Sequence, residues 1–334
     1  MVVARDDLVG AVGRAVRGDD DLELVLRVVE RELLRIVVTS DASSDGTDDI
    51  VRSFADRGVE LVVAKRGGKV NAQDTAMRAL GDAIDVVAFS DANSTWSPDA
   101  LRKLLRPFAD PDVAYVCGRL ALRRADGTNQ EGAYWRLEVA LRAQESAIGS
   151  ITGGNGSIYA VRRGDYAEVD PRWGHDLSFP YLMVKRGRRA VYVSDATAAE
   201  KPSTDLEDEF RRKVRMLPWS WRYLFEAGPL RGVPPMYLFE LLSHRVLRYA
   251  SGFLHVGLLA TSIALWGDGW VYEAVLAAQA LWLVLAAAGK LKLRVPGAGL
   301  AWYYLLMTVA TMAALVRYLR EGAPLMWEKA EGTR

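Results

Sequence analysis

Leu34-Arg35-Ile36-Val37-Val38-Thr39-Ser40-Asp41-Ala42-Ser43-Ser44-Asp45-Gly46-Thr47 changes character at its middle, where an apolar, β-branched run gives way to small, turn-forming and acidic residues. Such a run, closed by Asp, Ser and Gly, is the pattern of a buried strand ending in a tight loop. A helix over about residues 48–56 follows, and the alternation then repeats with a strand at 59–64, a Gly67-Gly68 turn, a helix at 69–80 and a strand at 84–90. Strands alternating with helices predict an α/β domain with a mostly parallel sheet. Open sheets of this kind bind ligands beyond the carboxyl ends of their strands, so Asp41 and Asp91 share one edge.

Downstream, Ser97-Pro98 starts a helix over 99–109, a strand is expected at 113–122 and an amphipathic helix at 134–150. The Gly153-Gly154-Asn155-Gly156 turn leads into a strand at 157–161, and residues 191–193 form the last strand of a domain spanning 35–205. Residues 1–34 break their short Val and Leu runs with charges and show no clear strand. They are left unassigned, as a degenerate or truncated N-terminus without the apolar core of a signal peptide.

The second half of the chain is built differently. Residues 206–248 mix Trp219, Trp221 and other bulky apolar residues with Arg and Lys, the composition of amphipathic helices at a bilayer surface. Three apolar segments follow, at about 249–266, 270–289 and 296–316, with a tail at 317–334. Each approaches the roughly 20 residues that a spanning helix needs, and aromatic residues stand near their ends; helices buried in a soluble core are the alternative. Lys290, Lys292 and Arg294 favour a cytoplasmic loop, and Arg317, Arg320 and Lys329 a cytoplasmic tail. Three simple crossings cannot satisfy both, so either one segment is re-entrant or the charge rule fails here. With 43 basic and 42 acidic residues mixed along the chain, no clustered basic surface is present and nucleic acid is not an expected partner. The lone Cys117 cannot form an internal disulfide, which fits a reducing compartment.

Four motifs occur in order: the Asp41-to-Thr47 turn, Gly67-Gly68-Lys69-Val70-Asn71-Ala72, Ser90-Asp91-Ala92-Asn93-Ser94 and Gly174-His175-Asp176. Together they resemble the inverting glycosyltransferases of family 2. Residues 131–138 and 156–163, Arg211-Arg212-Lys213-Val214-Arg215-Met216 and Ser243-His244-Arg245-Val246-Leu247-Arg248 look like its multi-pass membrane branch of poly-N-acetylglucosamine, hyaluronan and cellulose synthase-like enzymes. The resemblance implies a glycosyltransferase type A, Rossmann-like fold. It also implies a nucleoside-diphosphate sugar donor, UDP in the first place, a glycan or lipid-linked acceptor, and a catalytic domain on the cytoplasmic face of a cell membrane crossed several times.

Each implied role has a chemical reason and a plainer alternative. Asp41 would accept hydrogen bonds from the nucleobase, or merely cap a turn. Asp91 and Asn93 occupy the Asp-x-Asp position, where oxygen ligands hold Mg2+ or Mn2+ against the donor diphosphate. Lys69 would meet the donor phosphates as a point charge, or stand exposed at a helix start. Asp176 matches the second acidic residue of the family's catalytic pair and would take the proton of the attacking hydroxyl, against a reading as helix N-cap. His175 replaces the first acid of that pair and is expected to orient its neighbour or lie at the surface. Gly154 and Asn155 match the turn beneath the acceptor, and Arg212 and Arg215 match basic positions near acceptor and diphosphate; binding of lipid phosphates is the other reading for that segment. Met216 stands where the family has Trp, and the family's opening strand-and-loop motif is missing before Leu34, so a catalytically impaired membrane scaffold is the alternative function. No phosphate-cradling Gly-x-x-x-x-Gly-Lys-Ser/Thr loop is present, which argues against an unrelated nucleotide-binding transporter domain.

Overall fold

The computed structural model describes residues 2–4, 34–81, 84–122, 133–201 and 206–323. Most of segment 1–34, along with Glu131 and Lys329, therefore lies outside the described residues. The chain divides into two compact units, 1–202 with 229–238 and 324–329, and 203–228 with 239–323 and 330–334.

The first unit is an eight-stranded sheet in the order β3-β2-β1-β4-β7-β6-β8-β5. Its strands are β1 (Val2–Ala4), β2 (Leu34–Ser40), β3 (Val59–Val63), β4 (Val86–Phe89), β5 (Thr95–Trp96), β6 (Val113–Leu122), β7 (Tyr159–Arg162) and β8 (Arg189–Glu200). Its helices include α1 (Thr47–Arg52), α2 (Gly68–Leu80), α3 (Ala100–Leu105), α4 (Ala133–Ile148) and α5 (His175–Lys185). Successive strand residues point to opposite faces, and each face has its own core. Ile36 joins Val51 of α1 and Leu101 and Leu104 of α3 on one side. Val37 joins Met77 and Leu80 of α2 and Phe179 and Met183 of α5 on the other. Both faces are thus covered by helices, which is why Val86 to Phe89 form a wholly buried apolar strand.

Two sequence expectations change. The sheet is mixed rather than mostly parallel: β2 with β3 and β6 with β8 are parallel, while the other pairings are antiparallel. β7 causes much of this, because its chain turns back at the sheet edge and enters between β4 and β6 in the opposite direction. A strand also precedes Leu34: Val2–Ala4 pairs with both β2 and β4, filling the place left unassigned from sequence.

In the second unit, α6 (Leu206–Glu226) carries Trp221, which is buried with Tyr249 and Ala314 and donates its indole N–H to the Thr311 carbonyl at 3.0 Å. Three helices are long and apolar enough to cross a membrane: Pro235–Ala264, Trp270–Lys290 and Ala298–Glu321. The first starts earlier than expected, since its helix runs unbroken through a π-turn at Leu241–Val246. His255 sits among them, stacked on Trp282 with ring centroids 6.0 Å apart and its Nε2 3.0 Å from the Tyr304 hydroxyl.

Candidate active site

Strand register brings the candidate residues together. In the antiparallel pair of β4 and β7, Phe89 lies opposite Tyr159, so the chain entering β7 lies beside the chain leaving β4. The glycine turn 153–156 therefore meets Asp91. The contact is close: a methyl group on Gly156 would strike the Lys69 ammonium and come within 3.1 Å of Asp91 Oδ2. Lys69, in the first turn of α2, forms an ion pair with Asp91. Burial works against its charge, but Asp91, Asp176 and Glu200 outweigh it and raise the ammonium pKa above its ordinary value.

Asp41 sets the start of α2. Its carboxylate accepts the N–H of Gly67 at 2.8 Å and of Gly68 at 3.0 Å, donors that a helix N-terminus leaves unpaired. Ala42 beside it holds the left-handed backbone at φ 51°, a conformation that costs energy for a residue with a Cβ.

Asp176 falls in the first turn of α5, whose N-cap is Gly174, and its carboxylate accepts backbone N–H groups of Asp176 and Leu177 at that helix start. Burial raises the Asp176 pKa and Asp91 adds to this, while Lys69 opposes it. The Gly154 N–H donates to the Asp176 carbonyl at 2.8 Å, tying the glycine turn to the same helix start.

His175 is a core residue. It is 3% exposed, stacks on Phe179 with centroids 4.3 Å apart, and its Nδ1 lies 3.1 Å from the Tyr159 hydroxyl, which also accepts from Gln73 Nε2 at 3.0 Å. Burial, helped by Lys69, lowers its pKa to about 3, so the ring is neutral. Its Nε2 is 3.9 Å from Asp74, whose Oδ1 accepts the Tyr166 hydroxyl at 2.5 Å. Burial raises the Asp74 pKa to about 6. A carboxyl that keeps its proton longer when folded favours folding below its unfolded pKa, and that contribution is lost as pH rises through about 6. Asp74→Asn is therefore expected to be more stable than the parent at pH 7.5, by on the order of 2 kcal/mol, with the gap closing near pH 4. Thermal unfolding of the full chain at the two pH values checks this.

Glu200 is a site residue that sequence reasoning missed. Its Oε1 accepts the hydroxyls of Ser94 and Ser157, both at 2.5 Å, bridging the Asp91 turn and the glycine turn. Its pairing opposite Leu122 and the neighbouring pair Thr95–Ala199 put it there, and no local pattern marks it. Other candidates are placed differently. Asn93 is exposed on the turn whose Ser94 N–H bonds back to the Asp91 carbonyl at 3.1 Å. Asn155 faces the fold, donating to the Gly118 carbonyl at 2.8 Å and accepting from the N–H of Ser157 and Ile158 at 3.1 and 3.0 Å. Arg212 and Arg215 lie on α6 in the second unit, Arg212 paired with Glu209 at 2.8 Å.

Residues 22–169 match the family described as Glycosyl transferase family 2. An N-acetylglucosaminyltransferase of Rhizobium meliloti (strain 1021) is 27% identical over 256 residues, 68% of this chain and 59% of that protein. One of Bradyrhizobium diazoefficiens is 26% identical over 220 residues, 59% of this chain and 44% of its own length. The chain thus spans about three fifths or less of these relatives. Among solved structures, the mannosyltransferase PcManGT from Pyrobaculum calidifontis, in complex with GDP-Man and Mn2+, superposes with a TM-score of 0.64 at 23% identity, covering 87% of this chain and 79% of its own. With the sheet order and the strand-end motifs in agreement, the chain has the glycosyltransferase type A fold, and its residues 22–169 are similar to Glycosyl transferase family 2.

Proposed function

We propose that the chain transfers N-acetylglucosamine from UDP to a glycan or lipid-linked acceptor, with inversion at the anomeric carbon and with a divalent cation. The observation that carries this reading is the convergence of Asp91, Lys69 and Asp176 at one end of the sheet, beside a turn in which Gly154 and Gly156 leave no room for a side chain. The acceptor hydroxyl oxygen forms a bond to the anomeric carbon, the bond from that carbon to the diphosphate oxygen breaks, and Asp176 takes the hydroxyl proton. Asp41 faces the nucleobase with the carboxylate lone pairs that the two glycine amides leave over. The names of the relatives, N-acetylglucosaminyltransferases, support the sugar.

The residues at Asp91 fit a hard cation. Asp91 offers carboxylate oxygen, and the Asn93 amide oxygen stands exposed on the same turn. Among the described residues no group of three His, Cys, Asp or Glu side chains could hold a metal, so most ligands would come from donor phosphate and water, as Mg2+ and Mn2+ accept. When bound, the cation offsets charge on the departing diphosphate. Lys69 supplies a further positive charge there. The three apolar helices support a multi-pass membrane enzyme, with the basic 290–294 loop and the catalytic domain on the cytoplasmic side.

A panel of nucleoside-diphosphate sugars incubated with the detergent-purified full chain tests the reading. Turnover of UDP-N-acetylglucosamine that Mn2+ or Mg2+ restores after chelation is the expected result. Absence of both turnover and binding for every donor would overturn it in favour of the impaired scaffold.

A further inference from the structure

Lys69 is a cation already resident on the candidate metal ligand. Its ammonium pairs with Asp91, and Gly156 closes the pair so tightly that a methyl group there would touch both partners. A divalent ion on Asp91 would stand against this ammonium, and like charges at such range repel strongly. The Lys69 side chain is 40% exposed along its flexible stem, so the ammonium has a route off the half-buried carboxylate.

We propose that Lys69 competes with the divalent cation for Asp91 in the donor-free chain and transfers to the donor diphosphate, so that cation and nucleotide bind together while the bare cation binds poorly. The inference rests on the donor-site reading above. The diphosphate supplies the negative charge that draws the ammonium off Asp91, and the vacated carboxylate accepts the cation. Because linkage is reciprocal, nucleotide strengthens cation binding by the factor by which cation strengthens nucleotide binding. Lys69 is the source of much of that factor.

Mn2+ binding to the detergent-purified full chain, read from the loss of the free-ion electron paramagnetic resonance signal with and without UDP, tests this in the parent, Lys69→Met and Lys69→Arg. Lys69→Met is expected to bind Mn2+ alone at least tenfold more tightly than the parent. UDP should improve Mn2+ affinity at least tenfold more in the parent than in Lys69→Met, and Lys69→Arg should behave as the parent. Equal Mn2+ affinity of Lys69→Met and parent without UDP would overturn the inference while leaving the donor site intact. A parent chain that binds Mn2+ in neither condition would overturn the donor-site reading and this inference with it.

Discussion

Asp176→Asn is expected to lower kcat by about 10²- to 10⁴-fold, the range that a positioned general base contributes, while donor affinity changes by no more than several-fold. Asn keeps the size and polarity of the side chain, and its amide oxygen can still accept the Asp176 and Leu177 N–H groups at the start of α5. Only the capacity to take a proton is removed. A base works in its deprotonated form, so the parent's rate rises with pH through the Asp176 pKa. Burial, with Asp91 in support, moves that limb above the ordinary carboxylate range, and Lys69 partly restrains it. Single-turnover transfer across a pH series, with donor binding measured alongside, checks both statements. A loss of less than tenfold in kcat, or an unshifted acidic limb in Asp176→Asn, would place the base elsewhere.

Gly154→Ala should damage the site without touching a charged group. The new methyl would run into the Tyr115 hydroxyl and lie 3.4 Å from Cys117 Sγ. Tyr115 cannot retreat: it is 0% exposed, stacked on Tyr159 with centroids 5.5 Å apart and edge-on to Phe179 at 6.4 Å. Overpacking of this kind costs about 1–3 kcal/mol. The turn would shift instead, dragging the Gly154 N–H that bonds the Asp176 carbonyl, and a displacement near 1 Å at a reacting centre costs on the order of 100-fold in rate. Tyr115→Phe removes the colliding oxygen, so adding it to Gly154→Ala should recover stability and most of the activity. Failure of the double variant to recover either quantity would show that Gly154 is needed for something other than space.

Much of this was legible in the residues, and the exceptions share a cause. The passage from Leu34 to Thr47 declares strand and turn through neighbouring side chains alone, and β2 (Leu34–Ser40) and α1 (Thr47–Arg52) follow it closely. The same holds for α2, β6 and the three apolar helices, whose type is set by hydrophobic period and length. Strand direction was not legible. β7 is a short apolar run that pairs equally well by composition in either sense, and its antiparallel entry depends on where the preceding turn lies. From sequence His175 is expected to orient its neighbour or lie at the surface, and it lies in the core instead, because Phe89, Tyr159 and Tyr166 from other segments join Phe179 of its own helix around the ring.

By itself the sequence determined which residues end strands, and so put Asp41 and Asp91 beyond the carboxyl ends of β2 and β4, because burial period and turn chemistry act between near neighbours. Tertiary structure alone decided which carboxylates stand together. Glu200 reaches Ser94 across 106 residues, and the glycine turn reaches Lys69 only through the reversed β7. Such contacts are set by backbone pairing between distant strands, a choice made by the whole sheet as it closes rather than by any one segment.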